Sequence, residues 1–176
     1  MNIVLIGYRG AGKSIVGSRL AARLQMKFVD TDELLEEHNG ARISDIVKSH
    51  GWDHFRAMEK RIVEEISRQD HLVIAPGGGV VLDAENIMAL RRKGLIIWLK
   101  ADSEVLLRRM SQDFQTMGRR PTLTGKGSLE EIEEVMAYRD PLYERASDVQ
   151  LDTSTLNVEA VVEDLLSILQ ERIRRQ

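Results

Sequence analysis

Eight residues near the amino terminus constrain the fold more than any other part of the chain. They run Gly7-Tyr-Arg-Gly-Ala-Gly-Lys13-Ser14 and match the phosphate-binding pattern G-x-x-x-x-G-K-[ST]. The apolar run Ile3–Ile6 before them predicts a short buried strand, and Val16, Leu20 and Leu24 after them follow at helical spacing. A strand, a glycine loop and a helix in this order surround an anion with backbone N–H groups and a helix amino terminus. The sequence therefore predicts a nucleoside triphosphate site.

Each residue type in this loop has a chemical reason to be there. Gly7, Gly10 and Gly12 let the backbone wrap a phosphate where a Cβ atom would collide. Lys13 is expected to reach the β- and γ-phosphates, and the Ser14 hydroxyl is expected to ligate Mg²⁺. The alternative is a glycine-rich turn that arose by chance. The matching strand and helix on its two sides disfavour that alternative.

Length and composition narrow the class of protein. The 176 residues suit a single α/β domain spanning residues 1–176. The formal charge of −3 argues against a broad basic surface for nucleic acid, and the lack of cysteine excludes disulfides. No apolar run approaches the roughly 20 residues of a membrane span. Because the first strand is predicted from residue 2, no room is left for a signal peptide, and we expect a cytoplasmic protein.

Strand and helix patterns alternate along the chain. After the first strand, further strands are predicted at 27–29, 72–75, 95–99 and 149–151. Helices are predicted after the glycine loop and at 33–37, 43–49, 55–66, 83–93, 103–110, 128–138 and 158–169. This alternation predicts a mainly parallel five-stranded sheet with helices on both faces. Ligands bind beyond the carboxyl ends of such strands, so the segments that follow the strands should meet at one edge.

The stretch from 111 to 127 differs from the rest of the chain. It is polar, lacks helical periodicity and carries three glycines together with Arg119 and Arg120. A loop of this length in a compact domain is typically functional or disordered. We interpret it as a mobile lid over the phosphates, because two arginines lie in it. A surface excursion without a function is the alternative.

Asp30 and Asp32 follow the second predicted strand and are expected on an extended segment beside the phosphate loop. One carboxylate there can hold the Mg²⁺ shell, and the other can accept or orient the proton of an attacking hydroxyl. The alternative is that Asp30 or Thr31 simply caps the next helix. A helix cap needs only one acidic residue, so the presence of two favours the functional interpretation.

Two arginines and a run of glycines are candidates for an acceptor site. Taken alone, Arg56 and Arg139 are ordinary surface arginines, whereas together they could clamp a carboxylate bidentately. The sequence does not show that they converge. The run Pro76-Gly-Gly-Gly79 predicts either a flexible turn or a backbone that a small acceptor approaches closely, with N–H groups as donors.

Six motifs occur in one order along the chain: Gly7–Ser14, Asp30-Thr-Asp32, Gly51-Trp-Asp-His-Phe-Arg56, Gly77-Gly-Gly79, Arg120-Pro-Thr-Leu-Thr-Gly125 and Arg139-Asp-Pro-Leu-Tyr143. In this combination the chain resembles the shikimate kinases over essentially its whole length. Trp52, the longer lid and the string beginning at Arg120 resemble the type II branch of that family. The resemblance implies a P-loop kinase fold with a mobile lid. It also implies ATP-dependent phosphorylation of the 3-hydroxyl of shikimate, a step of aromatic amino acid biosynthesis.

The resemblance implies roles for particular residues as well. It assigns catalysis to Lys13, Asp32 and Arg120, and Mg²⁺ to Ser14 and, through water, Asp30. The implied ATP site comprises Gly10, Ala11, Gly12, Lys13, Ser14, Ile15, Arg109 and Arg120, where Arg108 is the alternative to Arg109. The implied acceptor site comprises Asp32, Arg56, Gly77, Gly78, Gly79 and Arg139. ATP and shikimate are the expected partners, and a monomer is expected.

The sequence departs from the family pattern at two places, and it leaves two alternative functions open. Pro76 stands where the family usually has threonine, and the loop 153–156 lacks the arginine that some members place against the nucleotide. One alternative is a kinase for another small hydroxy acid such as gluconate. The other is a nucleotide-binding regulator without turnover, which the presence of Lys13, Asp30 and Asp32 disfavours.

Overall fold

The computed structural model describes residues 1–112 and 129–174, which form a five-stranded sheet flanked by helices. The strands are β1 (Asn2–Ile6), β2 (Lys27–Asp30), β3 (Leu72–Ala75), β4 (Gly94–Lys100) and β5 (Val149–Asp152). They lie in the order β2-β3-β1-β4-β5, and each of these pairings is parallel. The predicted α/β architecture with a five-stranded parallel sheet is therefore confirmed.

Seven α-helices within the described ranges connect and cover these strands. They are α1 (Lys13–Leu24), α2 (Thr31–Asn39), α3 (Ile43–Ser67), α4 (Ala84–Arg91), α5 (Ser103–Gln112), α6 (Leu129–Ala146) and α7 (Val158–Arg174). The two helices predicted at 43–49 and 55–66 are parts of α3, which is interrupted at Gly51. Gly51 has φ 82° and ψ 171°, a backbone conformation that glycine adopts at little cost.

The sheet separates two apolar cores. All five residues of β1 are buried, as expected for a central strand covered on both faces. Val4 and Ile6 pack on one face against side chains of α2, α3, α4 and α6. Ile3 and Leu5 pack on the other face, mainly against side chains of α1, α5 and α7. Within the described ranges, no helix has both the length and the apolar character that a membrane span requires.

The parallel arrangement brings the ends of distant segments to one edge of the sheet. β1 lies at the centre and leads into the glycine loop, while β3 beside it leads into the loop Pro76–Gly79. Asp30, the last residue of β2, is in register with Ala75, the last residue of β3. The predicted meeting of these segments is therefore confirmed, because parallel strands point their carboxyl ends the same way.

Candidate active site

The loop between β1 and α1 depends on glycine for its own conformation. Gly7, Gly10 and Gly12 have φ values of 147°, 81° and 92°, which residues other than glycine rarely adopt. A Cβ atom on Gly7 would also lie 2.5 Å from the carbonyl oxygen of Leu99 at the end of β4. The loop is therefore shaped by its contact with the neighbouring strand as well as by the space that a phosphate would need.

Lys13 contributes to this loop in a way that the motif does not indicate. Its ammonium group donates hydrogen bonds to the carbonyl oxygens of Gly7, at 2.9 Å, and Tyr8, at 3.0 Å. The side chain is buried, with 8% of its surface exposed. It thus holds the two ends of the loop together while keeping a positive charge within it, so the loop is braced before any ligand arrives.

Asp30 caps the following helix, which is one of the two interpretations that the sequence left open, and it also contacts the Ser14 hydroxyl. One of its carboxylate oxygens, Oδ2, accepts a hydrogen bond of 2.5 Å from the Ser14 hydroxyl. The other, Oδ1, accepts from the backbone N–H groups of Asp32, at 3.0 Å, and Glu33, at 3.4 Å, and so caps α2. The prediction of an extended segment through Asp32 is wrong. Because Asp30 caps the helix immediately, Asp32 lies in the first turn of α2.

A cleft lies beside the glycine loop. Five parts of the chain line it: the glycine loop, helix α2, helix α3, the loop after β3, and helix α6. It contains all of the residues that the resemblance assigned to the acceptor, namely Asp32, Arg56, Gly77, Gly78, Gly79 and Arg139. The two arginines therefore do converge. Tyr8, Arg9 and Glu59 also line the cleft and were not predicted as site residues.

Arg56 is held from several sides. Its guanidinium donates a 2.7 Å hydrogen bond to Glu59 Oε2 and lies 5.1 Å from the ring centroid of Phe55 and 5.6 Å from that of Trp52. Cation–π contacts of this kind stabilise an arginine that is partly removed from water. A Cβ atom on Gly79 would overlap the guanidinium. Arg56 is thus a fixed wall of the cleft and not an ordinary surface side chain.

Glu59 is a buried carboxyl group that sequence reasoning missed. Only 1% of its surface is exposed, and its Oε1 atom has no hydrogen-bond partner among the residues that the structure describes. Burial raises the pKa of Glu59 above its ordinary value of 4.5, Arg56 opposes that rise, and Asp32 adds to it. Its spacing of three residues from Arg56 on one helix is the signal that could have identified it.

The glycines after β3 make room for these charged side chains. A Cβ atom on Gly77 would lie 2.8 Å from Asp32 Oδ1 and 3.0 Å from Glu59 Oε1. Real Cβ atoms essentially never approach another atom to 2.8 Å, so a side chain at residue 77 would displace the Asp32 carboxylate. Charged side chains therefore occupy the space beside Gly77 and Gly79. The prediction of a backbone that the acceptor approaches closely did not include this reason for glycine.

Arg139 and Tyr143 lie one turn apart on α6. Arg139 is buried, with 8% of its surface exposed, and Tyr143 is fully buried. The Tyr143 hydroxyl donates to the carbonyl oxygen of Gly78, and its ring stacks on Trp98 with 5.6 Å between centroids. Burial raises the pKa of Tyr143 well above its ordinary value, and the Arg139 guanidinium, which hydrogen-bonds the hydroxyl, opposes that rise. The motif contained Tyr143, but it indicated no role for it.

The remaining described residues that were predicted to bind ATP lie in the glycine loop and on α1 and α5. Ala11 is buried within the glycine loop, and Ile15 is 49% exposed in the first turn of α1. Arg109 on α5 donates hydrogen bonds to the hydroxyl and carbonyl oxygens of Thr153, at 3.1 and 2.6 Å. The predicted lid was placed at 111–127, but α5 continues through Gln112. Arg120 and the rest of that segment lie outside the described residues.

Comparison with known proteins identifies the family. The family model described as shikimate kinase matches residues 9–170, which is nearly the whole chain. The chain belongs to the shikimate kinase family. The shikimate kinase of Symbiobacterium thermophilum is 42% identical over 175 residues, which cover 99% of each chain. Shikimate kinase 2 of Photorhabdus laumondii is 40% identical over 141 residues, which cover 80% of each chain.

A solved member of the shikimate kinase family has the same fold. The structure of shikimate kinase from Acinetobacter baumannii in complex with shikimate superposes with a TM-score of 0.90. It is 30% identical to this chain, and the match covers 97% of this chain and 93% of that one. Membership in a family of kinases accounts for the joint presence of a phosphate-binding loop and a cleft beside it. The assignment to the type II branch stays a prediction.

Proposed function

We propose that this chain transfers the γ-phosphoryl group of ATP to the 3-hydroxyl of shikimate and forms shikimate 3-phosphate and ADP. The observation that carries this proposal is the cleft in which Asp32, Arg56 and Arg139 lie beside the glycine loop. The cleft offers a carboxylate for a hydroxyl and two arginines for an acid, and it adjoins the loop that would hold the phosphates. The shikimate complex of the Acinetobacter baumannii relative supports the choice of acceptor.

On the donor side, the backbone N–H groups of Gly10, Ala11, Gly12 and Ile15 would surround the phosphates at the amino terminus of α1. Lys13, which hydrogen-bonds two loop carbonyls, would exchange those contacts for the β- and γ-phosphate oxygens. Such an exchange keeps the ammonium group hydrogen-bonded throughout. The Lys13 ammonium group is therefore removed from water when the protein folds, and ATP binding does not add this free-energy cost again.

The Ser14 hydroxyl and Asp30 Oδ2 fit a magnesium site. Both are hard oxygen ligands, they lie 2.5 Å apart, and Mg²⁺ typically takes only one or two protein ligands beside nucleotide phosphates. In the described part of the chain, no cluster of three or more histidine or acidic side chains could hold a metal by itself. When bound, Mg²⁺ supplies charge neutralisation on the β- and γ-phosphates. Ser14 would ligate it, and Asp30 would hold its shell through water.

On the acceptor side, Asp32 would accept or orient the proton of the attacking hydroxyl. Arg56 and Arg139 would bind the carboxylate of shikimate, which orients the ring so that one hydroxyl faces the glycine loop. For residues on the nucleotide side we propose that Arg120 meets the phosphates and that Arg109 lies against the adenine. Catalysis would then consist mainly of positioning and charge neutralisation.

The proposal is tested by coupled ADP release with a panel of acceptors. Shikimate, gluconate and nucleoside monophosphates are compared at equal concentration, and a reaction without acceptor measures ATP hydrolysis. We expect turnover with shikimate and at most background rates with the other acceptors. Faster turnover with gluconate would favour the kinase for another hydroxy acid, and hydrolysis alone or no turnover would favour the nucleotide-binding regulator.

We also propose that the protein acts as a cytoplasmic monomer on these two small molecules and binds neither nucleic acid nor membranes. The formal charge of −3 supports the second part, because phosphate backbones and anionic lipids attract basic surfaces. Light scattering across a range of protein concentrations tests the monomer. A mass of twice 20.0 kDa at working concentrations would contradict it.

A further inference from the structure

Tyr143 touches two groups of the acceptor cleft while having no exposed surface itself. It is 0% exposed and stacks on Trp98 at an interplanar angle of 27°. Its hydroxyl contacts the carbonyl oxygen of Gly78 in the loop after β3, and it is hydrogen-bonded to Arg139 on α6. Gly78 and Arg139 both line the cleft, although 61 residues separate them in the sequence.

The direction of both hydrogen bonds follows from the chemistry of the groups. A guanidinium has only donors, so Arg139 donates and the Tyr143 oxygen accepts. The single hydrogen of the hydroxyl is then directed to the Gly78 carbonyl oxygen. The Tyr143 hydroxyl therefore accepts one hydrogen bond from Arg139 on α6 and donates another to Gly78 in the loop after β3. The two bonds do not compete, because one uses the oxygen and the other the hydrogen of the hydroxyl.

Fixing the Gly78 carbonyl also fixes the next N–H group. In a trans peptide the C=O of one residue and the N–H of the following residue point in opposite directions. Because the carbonyl of Gly78 points to the Tyr143 hydroxyl, the N–H of Gly79 points away from Tyr143. Glycines lack the Cβ atom that restricts backbone rotation, so a peptide between two glycines gains more than most from such a contact.

We infer that Tyr143 is a positioning residue for the acceptor, which fixes the Arg139 guanidinium and the Gly78–Gly79 peptide relative to each other. This inference rests on the proposed function and extends it to a residue that does not itself touch the acceptor. A carboxylate held by Arg139 and a hydroxyl near the glycine loop belong to one rigid molecule. The protein groups that bind this carboxylate and this hydroxyl must therefore stay at a constant distance from each other. The Tyr143 hydroxyl keeps them at that distance.

The test is Tyr143→Phe, which keeps the ring, its stacking on Trp98 and its buried volume and removes only the hydroxyl. We expect KM and Kd for shikimate to rise about tenfold, because two polar groups lose their partner. The value of kcat should fall no more than about threefold, and KM for ATP should stay unchanged, since the chemistry and the glycine loop are not altered. Steady-state kinetics and calorimetric titration with shikimate measure these quantities.

Two companion variants separate positioning from a purely structural role. Tyr138→Phe is the matched control, because Tyr138 is on the same helix and 68% exposed, and all of its parameters should stay at wild-type values. In the double variant Tyr143→Phe with Arg139→Lys, the rise in shikimate Kd should be smaller than the product of the two single rises, because the hydroxyl acts through Arg139.

The outcomes that would overturn the inference are distinct from those that affect the proposed function. A shikimate KM and Kd within twofold of wild type in Tyr143→Phe, even with a lowered melting temperature, would reduce Tyr143 to a packing residue. Rises that multiply in the double variant would exclude action through Arg139. If the wild type itself does not turn over shikimate, the proposed function falls together with this inference.

Discussion

The two halves of the site are built in opposite ways. In the part of the chain that the structure describes, the proposed donor half consists mainly of one continuous segment, Gly7–Ser14, to which Asp30 and the proposed adenine contact Arg109 are added from elsewhere. The acceptor half takes side chains from segments that extend from Asp32 to Arg139. A continuous segment forms a recognisable motif, because its geometry follows from local backbone conformation. A site assembled from distant segments has no such motif, and its geometry depends on how the sheet and helices bring those segments together.

The halves also differ in how they carry charge. In the donor half, Lys13 is hydrogen-bonded to two backbone carbonyls. In the acceptor half, Arg56 is paired with the buried carboxyl of Glu59, and Arg139 is hydrogen-bonded to Tyr143. We expect substitutions in the donor half to act mainly on the rate of phosphoryl transfer and substitutions of the two arginines in the acceptor half to act mainly on affinity for shikimate.

The largest effect is expected from Lys13→Ala. Removing an electrostatic contact to the transition state typically costs about 3–4 kcal/mol, or roughly 100- to 1000-fold in kcat. The melting temperature should also fall somewhat, because the carbonyls of Gly7 and Tyr8 lose their donor. Lys48→Ala on the exposed surface of α3 is the control. If Lys13→Ala kept near-normal kcat, the donor half would not work as proposed.

The next effect concerns Asp30 and separates the donor half from the acceptor half. Asp30→Asn keeps an oxygen for the helix cap but loses the charge, so the Mg²⁺ concentration for half-maximal rate should rise about tenfold or more. Asp32→Asn should lower kcat without moving that concentration. Magnesium titrations of the two variants provide the measurement. Superimposable curves would show that the two aspartates do not have separate roles.

A smaller effect is expected from Arg56→Lys in the acceptor half. Lysine keeps the charge but not the planar fork that binds a carboxylate bidentately. We expect KM for shikimate to rise about tenfold, which corresponds to about 1.4 kcal/mol, with little change in KM for ATP. Arg61→Lys, an exposed position on the same helix, is the control.

An analogue of shikimate with the carboxylate reduced to an alcohol sharpens this test. It should bind the wild type poorly and should hardly distinguish the wild type from Arg56→Lys or Arg139→Lys. Equal losses for the acid and the alcohol in these variants would mean that the arginines do not bind the carboxylate. The two arginines would then not determine the affinity for shikimate, and the expected difference between the donor half and the acceptor half would be wrong.

The smallest effect is a pH dependence of stability that originates in the acceptor half. Burial raises the pKa of Glu59 in the folded state, so the folded state favours the protonated carboxyl. The stabilisation linked to this group is fully present below the ordinary pKa of 4.5 and is lost as the pH rises through the folded-state pKa. The free energy of unfolding of the wild type should therefore fall relative to that of Glu59→Gln, by at most about 1.4 kcal/mol per pH unit.

Urea unfolding of the wild type and Glu59→Gln at a series of pH values from about 4 to 8 gives this difference directly. The comparison removes contributions from other carboxyl groups, such as Asp70 and Asp152, because both proteins contain them. Glutamine also weakens the pairing with Arg56, which shifts the absolute stability but adds no further titrating group. A difference that stays constant with pH, or changes with the opposite sign, would contradict the proposed protonation of Glu59.

Local sequence patterns determined the architecture and the donor half. The alternation of apolar strands and amphipathic helices predicts a parallel sheet, and the strand, loop and helix around Gly7–Ser14 predict the phosphate site. The strands, the helices and the parallel sheet are confirmed, because each element depends on residues within one or two turns of one another, whereas phosphate binding by the loop stays a prediction. The sequence also predicted separate helices at 43–49 and 55–66, although the structure joins them in one element that is interrupted at Gly51.

Only the tertiary structure decided the details of the acceptor half. Gly77 and Gly79 leave the space beside them to Asp32, Glu59 and Arg56. These features depend on contacts between residues far apart in the chain, which neither spacing nor propensity encodes. Burial and the carboxylate of Asp32 likewise raise the pKa of Glu59, and both exist only once the parallel sheet has brought β2 and β3 together.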